Sequence, residues 1–291
     1  MLLPTASRNF GASEKTLKSR MKSVNSIRKI TKAMKMVAAS KMKGDLHRLS
    51  NGKLFGNNAI DMIFKSDQYM QRRAPDNLNN PKLLLVPITS DKGMCGGVNS
   101  GIVRALRDFV SRSDRSKIQV FAIGDKGTTG LQRPMPDLVK TAISDISKPV
   151  NYPTVMAVSE HIIKAAEGSD KIIVYFNEFK SAISTIIRTM ELMPRQRFLD
   201  TMKFGKLYNQ KLPDKNTSNP ALYELYVTSN LWLAFLNSAA SEQSSRMNAM
   251  ENASKNAKEI VEKLKLKYNR ARQLRITTEL CEIIAGASAL E

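Results

Sequence analysis

The sequence contains few of the residues on which most catalytic and metal sites depend. Its 291 residues include 2 cysteines and 2 histidines. Cys95 and Cys281 form neither a C-x-x-C pair nor a zinc-ligand spacing, which is typical of a reducing compartment without a disulfide framework. His161 lies in an apolar helical context, where a structural role is favoured. We therefore expect no catalytic residue, no metal site and no cofactor.

Acidic residues are scarce relative to basic ones. The chain has 46 Lys+Arg against 26 Asp+Glu, a formal net charge of +20 at pH 7. A field of that sign favours a polyanionic partner, which could be nucleic acid, an anionic membrane surface or an acidic protein. Charge alone does not choose among these partners. No apolar run approaches the roughly 18 residues of a membrane span.

Proline and glycine are missing from most of the C-terminal end, between Pro220 and Gly286. Apolar or small residues recur in this segment at steps of three and four: Met247, Met250, Ala253, Ala257, Ile260, Leu264, Tyr268, Ala271, Leu274, Thr278 and Cys281. That period is typical of a helical stripe or a coiled-coil seam. A continuous helix here would be on the order of 100 Å long, at about 1.5 Å per residue. Such a helix needs a partner along its length.

A second amphipathic helix is predicted at the opposite end of the chain. Proline is absent from Ser13, a plausible N-cap, to Pro75, and apolar residues again recur mostly at steps of three and four. Lysine and arginine fill the positions between them. We expect this basic helix to reach about Tyr69 and to pair antiparallel with the C-terminal helix. Residues 1–12 carry Arg8 and no acidic residue, which indicates either an organelle transit peptide or a disordered tail.

Between the helices the pattern changes to that of a small α/β domain. Strands are predicted at 82–88, 118–123, 137–143 and 171–179, a hairpin partner at 182–192, and helices at 101–110 and 154–166. Residues 124–130 are predicted as a turn and 194–219 as a loop. Alternating strands and helices indicate a largely parallel sheet. The predicted fold is therefore α/β, a long antiparallel coiled coil with an inserted small Rossmann-like domain. Its segments are a tail at 1–12, helices at 13–75 and 220–291, and the domain at 76–219.

A glycine-rich loop at 90–100 (SDKGMCGGVNS) raises the question of nucleotide binding. Glycines between a strand and a helix suit a phosphate cradle, because backbone N–H groups must approach the anion closely. Neither the P-loop spacing nor the dinucleotide spacing is present. A structural turn is favoured, and a nucleotide-binding enzyme stays an alternative.

Nucleic-acid binding is the main rival interpretation of the residues themselves. The basic first helix could supply phosphate contacts. Aromatic residues make up only 6% of the chain, and the basic stretch lacks interleaved stacking residues. A helix lying on a membrane surface is a further alternative, although tryptophan and phenylalanine anchors are missing from its apolar stripe.

Separated segments of the chain, in order, resemble the gamma subunit of rotary F-type ATP synthases. Residues 29–41 (KITKAMKMVAASK) closely resemble that family's N-terminal helix. Its C-terminal helix is similar to residues 240–250 (ASEQSSRMNAM), 268–273 (YNRARQ) and 276–283 (ITTELCEI). The loop at 90–100 resembles the family's central-domain loop, with Met94 where leucine is usual. The resemblance covers about residues 13–290.

The resemblance implies a non-catalytic rotor stalk of a proton-driven synthase. Its partners would be a ring of three alpha and three beta subunits that receives the paired helices, small central-stalk subunits of the delta/epsilon type, and a membrane rotor ring. No nucleic-acid partner is expected. The turning stalk would drive each beta site through different affinities for ADP, phosphate and ATP. The transit-like start favours mitochondria, with a peripheral position on the matrix side of the inner membrane.

The resemblance also implies which residues contact the ring or affect coupling. Met34 would face the moving loops of the beta subunits near the mouth of the ring. The matching positions are Lys32, Met34, Lys35, Glu242, Arg246, Arg272, Gln273, Thr277 and Glu279.

Overall fold

The computed structural model describes residues 6–55, 81–202 and 215–289. The chain divides into two compact units, one made of Met1–Val37 with Met247–Glu291 and the other of Ala38–Arg246. We call the first the helix-pair unit and the second the sheet unit. In the part of the chain that is described, no helix combines the length and the hydropathy of a membrane span.

Two long helices account for both ends of the chain. Helix α1 spans Ala6–Lys53 and the last helix, α6, spans Lys215–Ser288. Helix α1 begins before the predicted cap Ser13, since helix propagation into neighbouring residues that keep their N–H donors is favourable. Helix α6 begins at Lys215 and includes Pro220, whose missing donor removes a single hydrogen bond near the helix start. The predicted extension of the first helix to about Tyr69 lies outside the described residues.

The helices of the helix-pair unit run antiparallel. The Nζ of Lys35 lies 3.1 Å from Oε2 of Glu251, and Nη1 of Arg275 lies 2.8 Å from Oε2 of Glu14. Later residues of α1 therefore lie against earlier residues of α6. Met250 and Ala257 of the predicted seam are buried in this unit, and so is Thr31 of α1. Ile260 and Leu274, which were predicted on the same seam, are 47% and 51% exposed, because a pair of helices covers only part of each apolar stripe.

The sheet unit contains one five-stranded sheet in the order β3-β2-β1-β4-β5. Strands β1, β2, β3, β4 and β5 span Leu83–Pro87, Ile118–Ile123, Val139–Ile143, Lys171–Phe179 and Thr185–Leu192. The first four are parallel, and β5 pairs antiparallel with β4 as the predicted hairpin partner. Helices α2, α3, α4 and α5 span Val98–Ser111, Asp125–Gln132, Tyr152–Ala165 and Arg195–Met202. The mixed α/β fold with long terminal helices is confirmed.

Each face of the sheet is covered by helices. Alternate residues of β1 supply the two cores, because successive side chains of a strand point to opposite faces. Leu83 and Leu85 belong to the core that contains α2, whereas Leu84 and Val86 belong to the core that contains α4. The first part of α6, from Tyr223 to Phe235, closes this second core. Helix α6 is thus a core helix before it becomes a partner of α1.

Two segments predicted as irregular are helical. The predicted turn at 124–130 is helix α3, and its glycines allow close approach: the amide of Gly127 donates to Oγ1 of Thr89 at 2.9 Å. A Cβ at Gly127 would collide with that threonine side chain. The predicted loop at 194–219 contains helix α5, because Phe198 is fully buried against the ring of Tyr223 at a centroid distance of 5.3 Å. Both predictions were wrong, since tertiary packing overrides weak local propensity.

Gly124 should be the least replaceable glycine of the turn before α3. Its φ is +93°, and an added Cβ would collide with the backbone carbonyl of Thr89. We expect Gly124→Ala to lower the free energy of unfolding by about 3 kcal/mol, from backbone strain together with overpacking. Denaturant unfolding followed by the fluorescence of Trp232, the chain's single tryptophan and a residue packed on the core, measures this change.

Gly168→Ala is the matched control. Gly168 has a similar φ of +79° but nothing within 4 Å of an added Cβ. It should therefore show only the left-handed backbone cost, about 1–2 kcal/mol. Equal losses in the two variants would contradict the role assigned to the Thr89 carbonyl.

Candidate functional site

The helix-pair unit exposes much of its apolar surface. On α1, Ile27 and Ile30 are 51% and 57% exposed, and on α6 Leu280 and Ile283 are 55% and 69% exposed. Two paired helices bury only one stripe of each helix, so apolar residues on their other faces stay uncovered. Large apolar residues exposed together on one element mark an interaction surface. This unit therefore presents a surface for a partner that contacts the pair from several sides.

The predicted contact residues in this unit form two separate bands. One band is Lys32, Met34 and Lys35 on α1, and the other is residues 272–279 on α6. In the antiparallel pairing, Lys35 lies opposite Glu251, about 20 residues from the second band. At about 1.5 Å per residue the bands are roughly 30 Å apart along the pair. The structure does not bring the predicted residues together into one site.

The first band combines exposed and paired side chains. Lys32 is exposed, Met34 is half-buried, and Lys35 forms its ion pair across the helices. Hydrogen bonds from Lys35 and from Lys255 hold the pKa of the Glu251 carboxyl below its usual value. Because these groups are solvated, each pair contributes little to stability. The band can exchange partners at little cost.

The second band is exposed on the last turns of α6. Arg272, Gln273, Thr277 and Glu279 are all exposed. The Thr277 hydroxyl donates to the backbone oxygen of Gln273 at 2.9 Å, and Oε1 of Glu279 lies 3.5 Å from Nε of Arg275. The band thus presents amide, guanidinium and carboxylate groups on one solvent-facing stretch.

Glu242 and Arg246 have a different environment in the sheet unit, because Glu242 is buried and Arg246 is mostly covered. Their side chains are 8% and 11% exposed. Nη2 of Arg246 donates to Oε1 of Glu242 at 2.8 Å, and Nζ of Lys148 donates to Oε2 of the same carboxylate at 2.7 Å. The carboxylate is compensated by two cations from within the chain.

The glycine-rich loop accepts further hydrogen bonds from Arg246. Nη2 also donates to the backbone oxygens of Lys92 and Gly93 at 3.2 and 3.3 Å, and Nη1 donates to Oε1 of Gln243 at 3.2 Å. Lys148, Glu242, Arg246 and these two carbonyl groups together are called the clamp below. The planar guanidinium group of arginine can donate to several acceptors at once, a geometry that a lysine ammonium would not reproduce.

Small polar residues of α6 continue the contact with the sheet. The hydroxyls of Ser241 and Ser244 donate to the backbone oxygens of Asn177 and Ala182 at 3.1 and 2.8 Å. Both serines are fully buried. Sequence reasoning missed these residues and Lys148. The available signal was the spacing of Asn237, Ser241 and Ser244, which places three small polar groups on one helix face.

Asp45 of α1 lies near the clamp and has a perturbed pKa. Burial raises the pKa of its carboxyl above the usual value, and the charge of Glu242 acts in the same direction. Arg48, whose Nη1 lies 3.3 Å from Oδ1 of Asp45, opposes the shift. The neighbourhood of Glu242 therefore contains a second carboxylate and a third cation.

The crevice at the carboxyl ends of β1, β2 and β4 is filled by α6. In Rossmann-like sheets this crevice is where ligands bind. Here Phe235, Ser238 and Glu242 of α6 line it together with Ile88 and Gly124, and the remaining cavity is about 40 Å³. That volume suits about one water molecule, far below the roughly 300–1,000 Å³ of a cofactor pocket. The described residues also contain no cluster of histidine, cysteine, aspartate and glutamate able to hold a metal ion.

Comparison with known proteins agrees with this architecture. The family model described as ATP synthase matches residues 13–290. The ATP synthase gamma chain of Pelagibacter ubique is 34% identical over 289 residues, which cover 94% of this chain and 98% of that protein. The mitochondrial ATP synthase subunit gamma of Ipomoea batatas is also 34% identical, with 96% of this chain and 86% of that protein covered.

Solved structures give the same result. A chain in the central stalk and c-ring structure of the Tetrahymena thermophila mitochondrial ATP synthase is 43% identical, with a TM-score of 0.70 over 77% of this chain and 99% of that chain. A chain of the Euglena gracilis mitochondrial ATP synthase shares the fold, with a TM-score of 0.79 at 19% identity over 96% of this chain and 95% of that one. The chain belongs to the ATP synthase gamma-chain family.

Proposed function

We propose that this chain is the central rotor stalk of a proton-driven F-type ATP synthase and carries no catalytic residue itself. It couples rotation of a membrane ring to conformational cycling of the catalytic beta subunits. The observation that carries the proposal is the helix-pair unit, in which two long antiparallel helices expose apolar side chains on several faces. Such a unit suits a central shaft that is surrounded by a ring of partner subunits.

The helix-pair unit also has the stiffness and the surface that rotation requires. Its helices contain no proline in the described residues of that unit and are joined by ion pairs at Glu14–Arg275 and Lys35–Glu251. Ion pairs that the exposed side chains of this unit form with a partner are individually weak. Weak contacts suit a surface that meets successive copies of the same partner during each turn.

The partners that we propose are those of a complete rotary synthase. Three alpha and three beta subunits surround the helix pair, and small central-stalk subunits of the delta/epsilon type and a membrane rotor ring contact the sheet unit. The Tetrahymena relative, whose structure contains a central stalk and a c-ring, supports the ring contact. We also propose a peripheral position on the matrix side of the mitochondrial inner membrane, and the mitochondrial relatives support the choice of organelle. No nucleic acid is required to balance the basic charge, since acidic loops of a ring can do so.

The two bands of the helix-pair unit are the proposed ring contacts. Lys32, Met34 and Lys35 face the mouth of the ring, and Arg272, Gln273, Thr277 and Glu279 face its interior. The exposed ammonium of Lys32 and the exposed polar groups of the second band support this assignment. The two bands would contact the ring at two levels along the axis of the helix pair. Rotation of the helix pair would then change the contacts at both levels.

The first test is assembly. Native mass spectrometry of this chain mixed with alpha and beta subunits from its own organism should show one copy of the chain with three alpha and three beta subunits. ATPase activity should rise on assembly, because an asymmetric shaft lets the beta sites cycle in sequence. If both ring proteins are competent and the chain stays free, the proposed function is wrong.

The second test is a charge at the moving interface. We expect Met34→Lys to leave assembly intact and to lower the number of protons pumped per ATP hydrolysed. An added lysine that pairs differently in successive rotational positions changes their relative energies by about 1 kcal/mol. Proton pumping and ATP hydrolysis measured on the same membranes give the coupling ratio.

Met156→Lys provides the matched control for this variant. Met156 is 54% exposed on α4 of the sheet unit, outside both bands. The same methionine-to-lysine change there should leave the coupling ratio unchanged. An equal loss in both variants would argue against a contact at Met34.

A further inference from the structure

We infer that Glu242 and Arg246 are positioning residues that affect coupling through the clamp, by fastening helix α6 to the sheet unit, and do not act by touching the ring. The inference rests on the proposed function for its coupling readout. It changes the role of two residues whose resemblance to family positions implied rotor–ring contact or coupling. The clamp is an internal joint of the rotor.

Burial and saturation of the two side chains support this role. Arg246 has four acceptors within the sheet unit, and Glu242 has both carboxylate oxygens engaged by cations. Removing one partner of a buried ion pair is strongly unfavourable, because the other charge is left uncompensated. A ring contact made by Arg246 would have to replace several of these bonds at once. The bonds of the clamp are therefore expected to stay in place during rotation and not to be exchanged for contacts with the ring.

The directions of the bonds explain what the clamp adds to apolar packing. Apolar burial of α6 from Tyr223 to Phe235 is non-directional, and by itself it resists rolling or sliding of the helix only weakly. Hydrogen bonds require defined distances and angles. The clamp joins α6 to the glycine-rich loop through Arg246 and to the segment before α4 through Lys148. Charge-assisted bonds of this kind are the stronger class.

Nearby serines hold the same stretch of helix from another side. Ser241 and Ser244 donate to backbone oxygens at the end of β4 and in the β4–β5 hairpin. Hydrogen-bond partners in the glycine-rich loop, in the segment before α4 and around the β4–β5 hairpin therefore constrain about two turns of α6. Arg246 is the last residue of the sheet unit along this helix. A twisting force applied to the sheet unit passes into α6 at these bonds.

Lys148 allows the clamp to be tested without changing a predicted ring-contact residue. Lys148→Gln removes the cation on Oε2 of Glu242 and leaves Arg246 intact. We expect hydrogen exchange of the amides in residues 241–250 of the full chain to become at least about tenfold faster, since a hydrogen bond to a charged group contributes enough to shift a local opening equilibrium by that factor. Arg246→Gln should show a larger acceleration. Lys140→Gln, an exposed lysine on β3, is the control and should show none.

The mechanical consequence is measured in the assembled ring. A bead attached through Gln132→Cys, an exposed position on the sheet unit, in a Cys281→Ser background reports angular fluctuations while the alpha and beta subunits are fixed to a surface. Lys148→Gln and Arg246→Gln should broaden the fluctuations and lower the coupling ratio. Arg112→Gln, an exposed arginine of the same unit, should do neither.

Two outcomes overturn the inference. Unchanged exchange and unchanged fluctuations in Lys148→Gln would show that the clamp does not hold α6. Lowered coupling in Arg246→Gln with parental exchange at 241–250 would assign Arg246 to a ring contact. Because the exchange measurement uses the chain alone, a failure of the clamp is distinguishable from a failure of the chain to assemble with the ring.

Discussion

Helix α6 has to bury two different apolar surfaces along one uninterrupted backbone. From Tyr223 to Phe235 it closes a core of the sheet unit, and beyond Met247 it pairs with α1. The polar bonds between Asn237 and Arg246 add directional constraints to the apolar burial of the first segment, because hydrogen bonds require defined distances and angles. They hold this stretch of α6 in place on the sheet unit.

The general architecture could be predicted from the sequence because its signals are long and periodic. The absence of proline and glycine over most of α6 and the steps of three and four predicted two paired helices. Strands β2 and β4 have the predicted limits, because apolar β-branched runs between polar segments are a strong strand signal. Helices α3 and α5 could not be predicted in the same way. Glycines such as those of α3 are typical of turns, and only the structure shows that Thr89 packs against them. Helix α5 depends on the contact of Phe198 with residues that are distant in sequence.

Sequence and resemblance supplied a set of candidate contact residues, but they could not supply the environment of each residue. Periodicity and resemblance place Lys35 and Glu242 on helices equally well. Only the structure shows that the first is solvated and the second is buried between Lys148 and Arg246. Lys148 lies 94 residues before Glu242 in a segment without periodic signal, so no local pattern could pair them. Whether a charged side chain is buried depends on the tertiary structure. Charged residues with the same helical spacing can therefore be solvated in one place and buried in another.

The filled crevice at the carboxyl ends of β1, β2 and β4 has a thermodynamic consequence. In a nucleotide-binding relative of such a sheet, the occupant arrives from solution, and the stability of the protein rises and falls with its concentration. Here the occupant is a segment of α6, tethered to the same chain. A tethered occupant has a high effective concentration that no dilution changes. The filling of this crevice therefore does not depend on the concentration of a dissolved ligand.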